Sequence, residues 1–232
     1  MVGSNRDGGW NLRGKARHSR VLLVSLLVLL AAFPFLEEVT RPIFLILPVA
    51  GVFVAGVIVV RSTRLRIRGA LVLAGIQILL VVMSDGLKLD LVPRQVGVSL
   101  VMASMIVLIL FSMYCVLGYV LQARVIGTDQ IYAGICVYLM LGFAFGAVFY
   151  LLSILQPGSF SVNVSLMGSG GNPDLMYFSF VTLATLGYGD ISPISKVARS
   201  LSSLEALSGS LYMAVFMARL VSLGTSPREG RD

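Results

Sequence analysis

Charged residues are scarce in this sequence. Only 12% of its 232 residues are charged, whereas 57% are hydrophobic. A soluble protein of this size needs a larger share of charged surface, so the balance excludes an ordinary water-soluble domain. We therefore expect an all-α integral membrane protein, because helices satisfy their own backbone hydrogen bonds in lipid.

The residue types that most often carry catalysis or bind metals are also few. The single histidine, His18, lies in a basic N-terminal tail, and the two cysteines, Cys115 and Cys136, lie inside apolar segments without a CxxC spacing. No nucleophile, metal cluster or phosphate-binding loop has a workable spacing. We expect no enzymatic activity and no cofactor, and we interpret both cysteines as packing residues.

Apolar residues, by contrast, occur in six blocks. A bilayer core takes about 20 apolar residues as a helix, so the first and third blocks must borrow flanking residues to cross it. A poor small-residue cleavage site favours an uncleaved first helix over a signal peptide. The predicted spans are 21–36, 43–60, 69–84, 97–121, 131–155 and 197–223.

The distribution of basic residues predicts the orientation of the spans. With both termini in the cytoplasm, thirteen of the eighteen Lys and Arg residues fall on the cytoplasmic side, as the positive-inside rule requires. The net charge of +7 therefore follows from topology. We expect contact with membrane lipids and no binding of nucleic acid.

A short helix is predicted between the fifth and sixth spans. Asn172 is a good N-cap, Pro173 suits the first helical position, and Asp174 favours the positive end of the helix dipole. The predicted helix 173–184 would be about 18 Å long, too short to cross a bilayer, so the chain should enter the membrane and return. Its C-terminal end, which carries a partial negative charge, would point toward the position where a cation binds.

The returning segment is "TLGYGD". Irregular backbone at membrane depth is tolerated only inside protein or along a water-filled path. Gly187 and Gly189 permit positive φ values, which turn successive carbonyl groups toward one side. Such a row of oxygens, repeated around a four-fold axis, replaces the water shell of a dehydrating cation.

The stretch "TLATLGYGDISP" resembles the selectivity filter of potassium channels, with Leu186 where valine or isoleucine is commoner. The resemblance covers residues 131–223 and is weak before them. It implies that potassium is coordinated in the filter segment 185–190, with Asp190 at the outer mouth. The implied ligands are the Thr185 hydroxyl and the backbone carbonyls of Thr185, Leu186, Gly187 and Tyr188, with Gly189 completing the filter.

The resemblance also implies roles around the filter. The Tyr188 ring should point away from the ion and pack on Tyr177 or Phe178, where many family members have tryptophan. Val181 replaces a carboxylate that some members keep, so no buried acid there can pair with Asp190. In the sixth span, the residues implied at a hinge or a water-filled cavity are Gly209, Ser210, Met213 and Met217.

Gly142 and Gly146 of the fifth span form a GxxxG pair that favours close helix packing. Two residues of the sixth span each have two interpretations. Gly209 is either a hinge or a packing contact. Glu205 is a carboxylate inside a span, where a charge is costly. We favour a hydrogen bond to Ser179 or Thr182 over a role in gating or proton sensing. Asn163 begins a glycosylation sequence, which matters only in a eukaryotic secretory pathway.

The four leading spans lack the features of a voltage sensor. The span 97–121 contains no basic residue, and the third span has Gln77 as its clearest polar group rather than an acidic countercharge. We interpret the arginines at 61, 64, 66 and 68 as topology signals with lipid contact.

The sequence thus predicts a basic cytoplasmic tail (1–20), a four-helix portion (21–124), a pore module (125–223) and a second cytoplasmic tail (224–232) with no room for a ligand-binding domain. The pore module contains an outer helix (131–155), the pore helix, the filter and an inner helix (197–223). We expect a homotetrameric, potassium-selective channel in the cell membrane that conducts passively and is not steeply voltage-gated. The alternatives are a weakly selective cation channel, or a transporter subunit or interaction protein that retains a pore-like loop.

Overall fold

The computed structural model describes residues 19–32, 42–59, 64–85, 94–123, 127–162 and 174–224. These residues form seven helices and one short pair of strands. The elements in chain order are α1 (Ser19–Ala32), α2 (Pro42–Val59), α3 (Arg64–Asp85), α4 (Arg94–Gln122), α5 (Thr128–Leu155), β1 (Phe160–Val162), α6 (Leu175–Leu183), β2 (Ile191–Pro193) and α7 (Lys196–Gly224).

Four of these helices are long and apolar enough to cross a membrane, namely α3, α4, α5 and α7. α1 and the apolar part of α2 are shorter, 19–32 and 49–58. The helical architecture agrees with the prediction of a membrane protein, whereas four of the described helices, not six, have the length and composition to span a membrane. The first apolar block was expected to reach residue 36, but residues 33–41 lie outside the described part of the chain.

The main core joins the leading helices to α5. Apolar side chains from α1, α2, α4 and α5 form one cluster, which also takes in Met176 from α6 and Phe216 from α7. At its centre three rings meet edge to face, since Phe143 of α5 lies 6.0 Å from Phe53 of α2 and 5.4 Å from Phe180 of α6. The Phe143 side chain therefore connects α2 of the leading helices to the short helix α6.

A few polar contacts connect α3 to α4. The buried Gln77 of α3 accepts a hydrogen bond from Ser104 of α4, and Ser104 also bonds the Val101 carbonyl. α3 begins at Arg64, earlier than the predicted span, so Arg66 lies on the helix and its guanidinium lies over the Tyr114 ring of α4 at 5.7 Å. These contacts pack α3 on α4 and contain no ion pair among the described residues of the two helices.

The inner helix α7 also contacts the end of α4. The Arg219 guanidinium donates to the carbonyls of Leu121, at 2.6 Å, and Ala123, at 3.1 Å. A cation at a helix C-terminus satisfies carbonyls that have no partner within the helix. A residue that the sequence marked only as a topology signal therefore ties α7 to the leading helices.

The strand pair was not predicted from the sequence. β1 follows α5, β2 follows the segment "TLGYGD", and the two pair antiparallel with Ser161 opposite Ser192. The Ser159 carbonyl also accepts from Ile194 N at 2.8 Å. A strand of three residues leaves no detectable periodicity in the sequence. The pair joins the end of α5 to the start of α7.

Several predicted features lie outside the described residues. They are the basic N-terminal tail with His18, the glycosylation sequence that begins at Asn163, the residues Asn172 and Pro173, the flanking Arg124 and the tail 225–232.

Candidate functional site

The short helix α6 begins two positions later than the sequence indicated. Asp174 is its N-cap, and the Asp174 carboxylate accepts a hydrogen bond from Tyr177 N at 2.9 Å. The prediction of Asn172 as the cap was therefore wrong. Asp and Asn are similarly good caps, and the residue whose side chain reaches the free amides of the first turn decides where the helix starts.

The C-terminal end of α6 is a Schellman motif. Ala184 is the C-cap, Thr185 N donates to the Thr182 carbonyl, and Leu186 N donates to the Val181 carbonyl, both at 2.9 Å. In this motif the residue after the cap takes a left-handed conformation, and it is usually glycine. Here it is Thr185, with φ of 58°. A β-branched residue in this conformation is a true outlier and costs about 1–2 kcal/mol.

The sign of φ alternates along the backbone after the motif. Thr185, Gly187 and Gly189 have positive φ values of 58°, 59° and 79°, whereas Leu186 and Tyr188 between them do not. In an ordinary strand successive carbonyls point to opposite sides, but alternating left- and right-handed residues turn successive peptide groups the same way. The two glycines adopt the positive φ predicted from the sequence, and Thr185 adds a third such residue that the sequence did not reveal.

The segment is open in the single chain. Leu186 and Tyr188 are 58% and 64% exposed, and a Cβ added at Gly187 or Gly189 would meet no atom within 4 Å. The described residues contain no cluster of three or more His, Cys, Asp or Glu side chains suited to a metal ion. The oxygen atoms of residues 185–190 are the backbone carbonyls, the Thr185 and Tyr188 hydroxyls and the Asp190 carboxylate.

Two glycines of α5 bring the backbone of α5 close to α6. A Cβ at Gly142 would lie 2.7 Å from the Phe180 ring, and a Cβ at Gly146 would lie 2.6 Å from Met176 Sδ and 3.3 Å from its Cα. A Cβ at either position would require the Phe180 ring or the Met176 side chain to move. The prediction that this glycine pair serves close helix packing is confirmed.

The last carbonyl of α6 contacts both long helices of the pore module. Tyr138 of α5 donates its hydroxyl proton to the Leu183 carbonyl at 3.3 Å, and a Cβ at Gly209 of α7 would lie 2.6 Å from the same oxygen. Gly209 therefore has the packing role that was one of its two interpretations. Because Leu183 O has a partner, the end of α6 presents less free negative charge than four unpaired carbonyls would.

The buried acid of α7 contacts the middle of α6. The Ser179 hydroxyl lies within hydrogen-bonding distance of Glu205 Oε1 and is 2.8 Å from the Gly142 carbonyl of α5. Ser179 and Glu205 are both completely buried. The predicted hydrogen bond between Glu205 and a hydroxyl of the short helix is present, and its partner is Ser179.

The aromatic side chains around the segment divide into two groups. Tyr177 interacts electrostatically with the Asp190 carboxylate and with Tyr188. Phe178, the other residue proposed as a packing partner for Tyr188, instead contacts the rings of Phe149 and Phe160 at 5.2 and 5.5 Å. The prediction for Phe178 was therefore wrong, because Phe178 lies on the face of α6 that packs on α5 and the strand pair.

The predicted cavity residues of α7 are exposed in the single chain. Met213 and Met217 are 44% and 53% exposed, and Ser210 is exposed as well. On the opposite side of the same stretch, Tyr212 donates to the Gly134 carbonyl of α5 at 2.6 Å. α7 thus has one face on α5 and another that its own chain leaves uncovered.

Sequence reasoning missed Gly134 and Tyr138. A Cβ at Gly134 would lie 2.2 Å from the Phe216 ring of α7. Both residues continue the spacing of the glycine pair, since Gly134, Tyr138, Gly142 and Gly146 recur at every fourth position and share one face of α5. This four-residue spacing indicates the face of α5 that contacts α6 and α7, whereas the pair Gly142 and Gly146 indicates only part of it.

Comparison with known proteins finds a similarity to ion channels in this part of the chain. Residues 136–226 match the family model described as "Ion channel". The chain is also 37% identical over 75 residues to the inward rectifier potassium channel Kirbac3.1 of Paramagnetospirillum magnetotacticum, an alignment that covers 32% of this chain and 21% of that protein. These matches support a potassium channel family. No solved structure matches the chain.

The match to the ion-channel model begins within α5, at residue 136, and includes β1, α6, β2 and α7. It supports a membrane location and a role in ion transport. The chain spans about a fifth of the length of the relative that it matches, 21%. α1 to α4 lie outside the match.

Proposed function

We propose that the chain is a subunit of a potassium-selective channel that conducts passively. The observation that carries the proposal is the backbone of residues 185–189, where positive φ alternates with ordinary φ directly after the capped end of α6. Such a backbone offers a row of carbonyl oxygens to a dehydrated cation. The ligands in this proposal are the carbonyls of Thr185, Leu186, Gly187 and Tyr188 with the Thr185 hydroxyl, and Gly189 and Asp190 complete the outer end.

The anchoring of this segment favours selectivity over a loosely selective pore. α6 contacts α5 through Tyr138 and Ser179, and it contacts α7 through Glu205 and the close approach of Gly209. At the outer end the Asp190 carboxylate accepts a hydrogen bond from Ile191 N at 2.9 Å and interacts electrostatically with Tyr177. A row of carbonyls discriminates between cations when its spacing and field are maintained, and these contacts hold both ends of the segment.

We further propose that four copies of the chain surround one ion path, with both termini in the cytoplasm. One segment cannot enclose an ion. The exposed face of α7 supports association, since only 11% of its most apolar window is buried in the single chain. Its large exposed side chains include Leu204, Leu207, Leu211 and Val215. In a tetramer part of this face would meet a neighbouring subunit, and Ser210, Met213 and Met217 would line the water-filled cavity.

Purified protein in lipid vesicles tests the proposal. We expect potassium flux without an energy source, blocked by barium, with a reversal potential near that of potassium in mixed potassium and sodium solutions. A reversal potential near zero would instead identify a weakly selective cation channel. Coupled or saturating transport would identify a transporter subunit, and absence of flux a non-conducting interaction protein. Mass measurement in mild detergent should give a tetramer, and a conducting monomer or dimer would contradict the four-fold arrangement.

A further inference from the structure

Ser179, in the middle of α6, has two oxygen neighbours on two other helices. The Gly142 carbonyl of α5 lies 2.8 Å from Ser179 Oγ, and Glu205 Oε1 of α7 is the second neighbour. Ser179 and Glu205 are each 0% exposed. Because no solvent reaches these side chains, the protons in the two contacts come from the three groups themselves.

The number of available protons determines the direction of both hydrogen bonds. A serine hydroxyl has one proton to donate, and a backbone carbonyl can only accept. If Ser179 donates to the Gly142 carbonyl, then the proton between Ser179 and Glu205 must belong to the carboxyl group. If Glu205 were a carboxylate, Ser179 would donate its single proton to Glu205. Ser179 Oγ and the Gly142 carbonyl oxygen would then lie 2.8 Å apart with no proton between them.

The surroundings of Glu205 also oppose a negative charge. Its second oxygen, Oε2, has no hydrogen-bond partner. On α5 the nearby titratable group is Tyr138, which interacts electrostatically with Glu205 but donates its hydroxyl proton to the Leu183 carbonyl. On α6 the titratable side chain is Tyr177, which interacts electrostatically with Asp190.

No cation reaches Glu205 from its own helix. The described basic residues of α7 lie near its two ends, and two of them have other partners, since Arg199 donates to Pro193 and Arg219 to the end of α4. A buried carboxylate without a cation or a full set of donors is strongly unfavourable, so the group neutralises instead.

We propose that Glu205 is a neutral carboxylic acid that donates its proton to Ser179 Oγ, while Ser179 donates to the Gly142 carbonyl. These two bonds, which we call the Glu205 network, join α7, α6 and α5 behind the proposed filter. Glu205 and Gly209 are one helical turn apart, and so are Ser179 and Leu183. The Glu205 network therefore lies one turn from the contact between Gly209 and the Leu183 carbonyl. Glu205 is thus a positioning residue for the filter.

The proposal predicts how conduction depends on pH. Raising the pH until Glu205 ionises removes the proton that it donates. Ser179 must then turn its proton to the carboxylate and leave the Gly142 carbonyl without it. An unpaired buried charge disfavours this packing, so the filter should lose its conducting geometry. Conduction should therefore be present at neutral pH and fall in the alkaline range.

Infrared spectroscopy of the purified protein tests the protonation state without requiring conduction. At neutral pH we expect the band of a protonated carboxylic acid that is absent from Glu205→Gln and shifted in Ser179→Ala, which removes the acceptor. Ser112→Ala is the matched control, since Ser112 is equally buried but bonds only the Leu108 carbonyl of its own helix, and it should leave the band unchanged. Identical spectra of the wild type and Glu205→Gln in the acid region would overturn the proposal.

Potassium flux in vesicles tests the positioning role, and this part rests on the proposed function. Glu205→Gln keeps a neutral donor, so we expect wild-type flux at neutral pH and no loss at alkaline pH, where the wild type should lose roughly tenfold or more. Loss of flux in Glu205→Gln at neutral pH would contradict the role of a neutral donor, as would an alkaline loss equal to that of the wild type. If no variant conducts while the infrared band is present, the proposed function fails and the protonated acid stands.

Discussion

The pore module and the helices that precede it are held by different kinds of contact. In the pore module, α6 is fixed by glycines that bring backbones together and by hydrogen bonds from Tyr138, Ser179 and Glu205. The contacts of α3 with α4 are mostly apolar, with Gln77 and Ser104 as the polar pair. Apolar side chains tolerate shifts that backbone contacts and directional bonds do not, so the pore module is the part built for fixed geometry.

Burial divides the helices in a different way. The most apolar windows of α5 and α4 are 56% and 39% buried, whereas those of α3 and α7 are 17% and 11% buried. An apolar helix that its own chain leaves uncovered is suited to contact lipid or another subunit. Apolar side chains of α1, α2 and α4 pack with those of α5 in one cluster, and the aromatic contact from Phe53 through Phe143 to Phe180 is where the leading helices approach α6.

The largest effect is expected from Gly187→Ala. Gly187 has φ of 59°, and an alanine there adds about 1–2 kcal/mol of backbone strain without any steric contact in the chain. Potassium flux should fall at least tenfold or potassium selectivity should be lost, while assembly in detergent is retained.

Gly158→Ala is the matched control for that experiment. Gly158 has φ of 82°, also has no atom within 4 Å of an added Cβ, and lies in the turn between α5 and β1. The same strain should leave ion selectivity unchanged there. Equal loss of selectivity in both variants would show that the filter backbone has no special role.

A smaller effect is expected from Gly209→Ala. The added Cβ would lie 2.6 Å from the Leu183 carbonyl, a backbone atom that cannot rotate away. Overpacking of this kind costs about 1–3 kcal/mol, so the midpoint of thermal unfolding in detergent should fall. The control Gly75→Ala lies in α3, where nothing is within 4 Å, and should raise the midpoint because alanine favours a helix by about 1 kcal/mol. If Gly209→Ala were as stable as Gly75→Ala, the close contact at Leu183 would be wrong.

Gln77→Leu should have a minor effect. It removes the acceptor for Ser104 within the leading helices, and a hydrogen bond between membrane helices contributes about 0.6 kcal/mol on average. We expect a small fall in the unfolding midpoint and unchanged potassium over sodium selectivity, measured from reversal potentials. A change of selectivity as large as that of Gly187→Ala would show that the leading helices set the filter geometry.

The smallest effect is expected from Arg94→Gln and Arg124→Gln on voltage dependence. The helix α4 carries no basic residue after its first position, Arg94, and moving one charge through the membrane field is worth about 2.3 kcal/mol per 100 mV. Macroscopic currents should relax little after a voltage step in the wild type and in both variants. A fitted gating charge of several units that either variant reduced would identify the leading helices as a voltage sensor.

The sequence was sufficient to predict the membrane class, the helical blocks and the segment "TLGYGD". These follow from local properties, because apolar runs, basic clusters and glycines act within a few residues of the chain. The positive φ of Gly187 and Gly189 was predictable for the same reason. The start of α6 was not, because Asn172 and Asp174 are comparable caps and the fold selects between them.

Other features were decided by tertiary structure alone. Thr185 takes a left-handed conformation because the Schellman motif requires one after Ala184, although its β-branched side chain disfavours it. Phe178 packs away from Tyr188 because α6 turns that face toward α5. The direction of the hydrogen bonds at Ser179 depends on the contact of α5, α6 and α7. Residues 142, 179 and 205 are far apart in the sequence, so no local pattern could indicate that they are hydrogen-bonded to each other.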